Sequence, residues 1–159
     1  MGFLKRHTTS RGLLSEEDQV RITNAIAKAE ITTSGEIRVY IENQCAAPSA
    51  LDRAAEVFNK LEMHKTTLRN GVLIYVALQD HVAAIFGDEG IYRKTGGQQY
   101  WEEEFEVFRQ HLSHGEVVEG IEHVVGDIGY SLAEYFPYVP GTDKNELPDE
   151  IVFGQDDKI

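Results

Sequence analysis

Glu36, Asp88 and Glu89 are carboxylates placed next to glycine: Gly35 precedes the first, and Gly87 and Gly90 bracket the other two. Hard divalent cations take oxygen donors of this kind, six to eight around calcium and fewer plus water around magnesium. The plainer reading of the same residues is solvated charge at strand ends, with Arg69 pairing one of them. Lys94-Thr95-Gly96-Gly97 ahead of a helix could offer backbone N–H groups and a cation to a phosphate. Its spacing misses the Walker pattern, and an ordinary loop and helix start is the better reading.

Other chemistry is excluded by spacing. Cys45 is the single cysteine, so neither an intrachain disulfide nor a multi-thiolate metal site can form within one chain. A cysteine-phosphatase loop needs an arginine six residues after the cysteine, and Leu51 stands there. The six histidines lack paired ligand spacing such as His-Glu-x-x-His, and there is no Gly-x-Ser-x-Gly elbow.

The elements around these residues follow from periodicity. Ser15-Glu16-Glu17-Asp18 is a capping-box-like start for a helix reaching Glu30, with Ile22, Ala25, Ile26 and Ala29 on one face. Glu36–Glu42 alternates as a strand whose Ile37, Val39 and Ile41 share a side. A second helix starts at Ala47-Pro48-Ser49 and places Leu51, Ala54, Ala55, Phe58 and Leu61 on one side. Gly71–Leu78 is apolar throughout, as in a strand covered on both faces, and Val82–Phe86 returns after the turn at Gln79-Asp80-His81. Gly87–Gly97, with four glycines, reads as a loop of functional length. Two helices follow: one over about Gln98–Leu112 with Trp101, Phe105 and Phe108 as core, the other over about Glu116–Phe136, stopped by Pro137.

That order predicts an α/β/α sandwich with a small mixed sheet: two parallel strands joined by a crossover helix, then a hairpin. In this topology Glu36, Arg69, Asn70, Asp88 and Glu89 all arrive at one sheet edge. Residues 1–12 form a basic arm, and 139–159 an acidic tail expected to be disordered.

With 15 Lys+Arg against 27 Asp+Glu, the net charge is −12. Such a surface argues against nucleic acid as the main partner, because phosphate backbones are bound by neutralising them. The longest apolar run, Val72–Leu78, is too short to span a bilayer, and the N-terminal residues do not resemble a signal peptide. The expectation is a cytoplasmic protein with no membrane span.

Four segments in order, Ser34-Gly35-Glu36-Ile37-Arg38-Val39, Phe58–Thr66, Arg69-Asn70-Gly71-Val72-Leu73-Ile74 and Phe86-Gly87-Asp88-Glu89-Gly90-Ile91, resemble the TPM domain family, over about residues 13–138. The resemblance implies an α/β/α sandwich, a divalent-cation site usually holding calcium, and weak acid-phosphatase activity in some members. It maps the acidic metal positions onto Glu36, Asp88 and Glu89. Two functions follow. One is a cation-dependent module, binding calcium or alternatively magnesium and presenting its loop to an unidentified protein partner. The other is a weak phosphatase in which the cation polarises the ester and Arg69 or Lys94 clamps the phosphate.

Overall fold

The structure is a computed structural model and describes residues 14–140 and 151–154. The arm at residues 1–12 and most of the acidic tail lie outside the described residues.

Helix α1 (Glu16–Glu30) begins where the Ser15 hydroxyl accepts the Asp18 N–H at 3.0 Å, and it buries Ile22 and Ile26. Strand β1 (Glu36–Glu42) follows. Helix α2 (Ala50–Lys60) is capped by Ser49 and turns Ala54, Val57 and Phe58 inward. Leu51, expected on that apolar side, is 56% exposed. Ala54 and Phe58 lie four apart and face the sheet, while Leu51, in the first turn, lines a groove beside the strand at 82–87.

Strand β2 (Gly71–Ala77) is buried along its whole length, and β3 (Val82–Gly87) returns antiparallel to it. β1 and β2 are parallel. The predicted crossover and hairpin are therefore present. Helices α4 (Gln98–Ser113) and α5 (Val117–Tyr135) complete the face opposite α2. Ile121, Val124, Val125, Ile128 and Leu132 of α5 are fully buried against β1, β2 and α1. Each such side chain contributes on the order of 1.5–3 kcal/mol by leaving water. The second core, between the sheet and α2, gathers Tyr40, Phe58, Met63, Leu73 and Tyr75. Helices on both faces of a mixed sheet make the α/β/α sandwich.

Two expectations are corrected. The stretch Gly87–Gly97 is not an open loop: Glu89–Lys94 forms a short helix, α3. Asp88 caps it, Glu89 and the Arg93-Lys94 pair suit its two dipole ends, and Ile91 is fully buried. Gly90 is required there because a Cβ would lie 2.3 Å from the Leu68 carbonyl oxygen. The tail is also not wholly irregular. Val152–Phe153 forms β4, parallel to β1, giving the order β3-β2-β1-β4. Ile151, 8% exposed, supplies the apolar anchor that an otherwise acidic segment needs to dock.

Candidate functional site

Register decides which candidates meet. Glu36 is opposite Gly71 across the β1–β2 ladder, and the Asp88 N–H donates to the Gly71 carbonyl at 2.9 Å. The Glu36 N–H in turn donates to the Asn70 carbonyl at 3.3 Å. Glu36, Asn70, Gly71 and Asp88 thus occupy one end of three successive strands, as the topology predicts. Glu36, Asn70 and Asp88 are all buried, at 3%, 1% and 5% exposure.

Asp88 has two structural attachments. Its Oδ1 accepts the Glu89 N–H at 2.8 Å, capping α3. Arg69 then grips it with one edge of the guanidinium, Nε donating to Oδ2 at 2.8 Å and Nη2 to Oδ1 at 2.9 Å. That hydrogen bonding, reinforced by the opposite charge, raises the Arg69 pKa further. Glu89 is half-exposed and lies 3.6 Å from Arg69 Nη1 and 3.9 Å from Arg93 Nη2.

Arg69 reaches Asp88 from unusual backbone. Its φ is +53°, the left-handed region that disfavours a residue with a Cβ. The turn is held by its own N–H donating to the Thr66 carbonyl at 3.3 Å, and by its carbonyl accepting the Gly90 N–H at 2.9 Å. Lys94, the other proposed phosphate contact, is exposed in the last turn of α3. The helix that follows starts at Gly97, which has a positive φ of 83°.

The donor types at this end suit a hard cation. The side-chain amide atoms of Asn70 are buried with no hydrogen-bond partner, so a carboxamide oxygen is available beside the carboxylates. The arrangement does not enclose one. Among the described residues no group of three or more His, Cys, Asp or Glu side chains is placed to hold a metal, and both Asp88 oxygens face Arg69.

A second buried carboxylate, at the opposite end of the sheet, was not singled out from sequence. Glu42 is 6% exposed and accepts from Arg53 Nε at 2.8 Å and Arg53 Nη2 at 3.0 Å, and from the Tyr75 hydroxyl. These bonds raise the Arg53 pKa, while burial first and the Glu42 bond second raise that of Tyr75. Gly154 beyond β4 closes over it: a Cβ there would come within 2.8 Å of the Glu42 Cβ. The available signal was the even-numbered side of β1, which a crossover helix must also cover.

Elsewhere, Glu104 on α4 is half-buried, and its pKa is pushed up to about 7 by burial and then by Asp127 on α5. No helix among the described residues is long and apolar enough to cross a membrane.

Comparison with known proteins agrees with this architecture. The NMR structure of the BA42 protein from Bizionia argentinensis is similar at 37% identity and a TM-score of 0.79, over 89% of this chain and 95% of that one. Two more distant NMR structures share the fold. The N-terminal domain of the cg2496 protein from Corynebacterium glutamicum has 14% identity and a TM-score of 0.61, covering 76% of this chain and 75% of its own. An N-terminal domain from P. gingivalis has 16% identity and a TM-score of 0.63, covering 80% and 83%. No curated protein matches the chain. The sequence profile of the TPM domain matches residues 8–130, most of the chain, and the protein belongs to the TPM domain family.

Proposed function

We propose that this TPM domain is an interaction module whose acidic strand-end site takes a divalent cation in exchange for the Arg69 guanidinium. The observation that carries the reading is the Arg69–Asp88 pair itself. A buried carboxylate is already neutralised by a positive group, and that group approaches from the solvent side with 44% of its side chain exposed and a strained backbone. Glu36, Asp88, Glu89 and the Asn70 carboxamide supply oxygen only, which favours calcium, with magnesium as the smaller competitor. The chain's own residues would do the work. Asp88 would exchange one positive partner for another while remaining the cap of α3, and the Arg69 turn would relax once released.

Phosphate-ester hydrolysis has no comparable support. Arg69 is engaged by Asp88, and Lys94 stands at the end of α3 where its charge suits the helix dipole.

Calorimetric titration with calcium, alongside amide NMR shifts, tests the reading. Saturable heat is expected in the wild type, with shifts centred on residues 69–71 and 88–90. Asp88→Asn and Glu36→Gln should lose it, whereas Arg69→Gln should bind more tightly than the wild type because the competing cation is gone. Absence of heat and shifts in both the wild type and Arg69→Gln overturns the proposal. Turnover of a generic phosphate ester that falls in Asp88→Asn would restore the hydrolytic alternative.

A further inference from the structure

Among the described residues, the sheet runs from β3 at one edge to β4 at the other. Beside β1 lies β4, a short segment of the chain's own C-terminal region. Beside β3 no strand lies among the described residues.

The phase of the β2–β3 ladder fixes what β3 presents on that side. The Asp88 N–H bonds the Gly71 carbonyl, and the register continues through Phe86↔Leu73 and Ala84↔Tyr75. In an antiparallel ladder, residues directly opposite alternate between exchanging hydrogen bonds and facing away. Ala84 and Phe86 therefore bond to β2, and Ala83, Ile85 and Gly87 turn their N–H and C=O groups outward.

Those outward groups open on a groove of about 670 Å³, lined by all of Ala83–Gly87. Its walls are apolar: Trp101 and Phe105 of α4 on one side, and on the other Leu51, the residue α2 leaves exposed. A second hollow of about 890 Å³ shares Ala83 and Phe105 and extends past the β2–β3 turn. Glu102 and Glu106 lie on the lip of the first groove; Glu106 is held by Arg109, which lines the adjoining hollow, and Glu102 accepts only from the Gln98 amide among the bonds the described residues make to it.

We propose that β3 receives an extended segment of a partner protein as an added antiparallel or parallel strand, with alternating apolar side chains and flanking lysine or arginine. Main-chain bonds to Ala83, Ile85 and Gly87 give the attachment, and the apolar walls take alternate side chains, as in other cases of strand addition. Glu102, bonded to the Gln98 amide, selects for positive charge. Glu102 and the overall charge disfavour a second copy of this chain, which would bring the same carboxylate and a net charge of −12 to the edge. This proposal is independent of the cation reading.

The test uses the full chain, labelled with ¹⁵N, and a short end-blocked peptide of alternating valine and lysine. In the unbound protein the Ala83, Ile85 and Gly87 amides should exchange with solvent faster than those of Ala84 and Phe86. Peptide should slow the first three and leave the other two unchanged. The exposed substitution Glu102→Lys should weaken binding about tenfold. A peptide N-methylated on alternate residues, which needs no change to the protein, should not bind. Equal binding of a valine–glutamate peptide overturns the charge selection. Undiminished binding of the N-methylated peptide overturns strand addition. Protection of the same three amides on raising the protein concentration alone would assign the edge to a second copy and overturn the proposed partner.

Discussion

Glu42 and Asp88 are two buried carboxylates at opposite ends of one small sheet, each held by the Nε and Nη2 groups of an arginine side chain. The chemistry is the same and the enclosure is not. Arg53 rises from the regular helix α2, its side chain is 19% exposed, and Tyr75 and the end of β4 complete the cover over Glu42. Arg69 leaves a left-handed turn and is 44% exposed. Removing water from an ion pair raises the cost of losing either partner, because the remaining charge is then stranded. The difference teaches that the Glu42 end is a closed structural joint, and the Asp88 end is a pair that solvent and solutes can contest.

The largest effect expected from this contrast is at the closed end. Arg53→Ala leaves Glu42 buried without its cation and should destabilise the fold by about 3 kcal/mol, the range for breaking a buried pair on one side. Urea denaturation measures it. Arg69→Ala should cost less, since 44% of its side chain is exposed and Asp88 keeps the Glu89 N–H. Equal losses would remove the distinction between the two ends.

Tyr75→Phe comes next. It removes a buried hydrogen bond to a charged acceptor while keeping the ring stacked near Tyr40. A loss of about 1.5–2 kcal/mol is expected from the usual value of such a bond. A double-mutant cycle with Arg53→Ala should show strong coupling, because both donors serve one carboxylate. Additivity would mean that Glu42 is not the shared centre.

A smaller effect separates charge from backbone at the open end. Arg69→Gly and Arg69→Ala remove the same ion pair, but glycine accepts a φ of +53° without the Cβ penalty. The glycine variant should therefore melt at the higher temperature. The reverse order would show that the turn is not strained, and with it would go one reason for regarding Arg69 as releasable.

Much of this contrast was partly legible in the sequence, and its limits are physical. Period-two alternation in Glu36–Glu42, the unbroken apolar run from Gly71, and three- and four-residue spacing in α1 and α5 each record a face in contact with a core, so those elements could be placed. The meeting of Glu36, Asn70 and Asp88 followed from topology, and Arg69 pairing with a strand-end carboxylate was the plainer of the two readings. Helix α3 was hidden because six residues containing a glycine have little intrinsic helicity. Its existence depends on Asp88 as cap, on Ile91 reaching the core and on close backbone approach at Gly90. β4 carries no periodicity in two residues; it exists because β1 offers an open edge. The Glu42 pair needed the position of Arg53 on a different element, which no local pattern records.

Glu104 supplies the third member of the comparison, a half-buried carboxylate with no cation among the described residues paired to it. Burial first, then the negative Asp127 and neighbouring Glu103, raise its pKa to about 7 from 4.5. Tyr100, bonded to Ser131, lies in the same α4–α5 seam. The sign of the pH effect follows. Between roughly pH 4.5 and 7 the folded chain holds a proton on Glu104 that the unfolded chain has lost, so stability from this group declines as pH rises through that window. The usual paired carboxylate behaves oppositely, gaining stability over the unfolded state as it ionises. Because the side chain is only partly buried, solvent screens the effect and it should be the smallest of the set. Thermal melts of Glu104→Gln should show a weaker decline than the wild type between pH 5 and 7.5, and the two curves should converge at the acidic end. Parallel curves would mean that Glu104 titrates normally. In that case a carboxylate at the α4–α5 seam needs no arginine, and the pairing seen at Glu42 and Asp88 would reflect their deeper burial at the sheet ends alone.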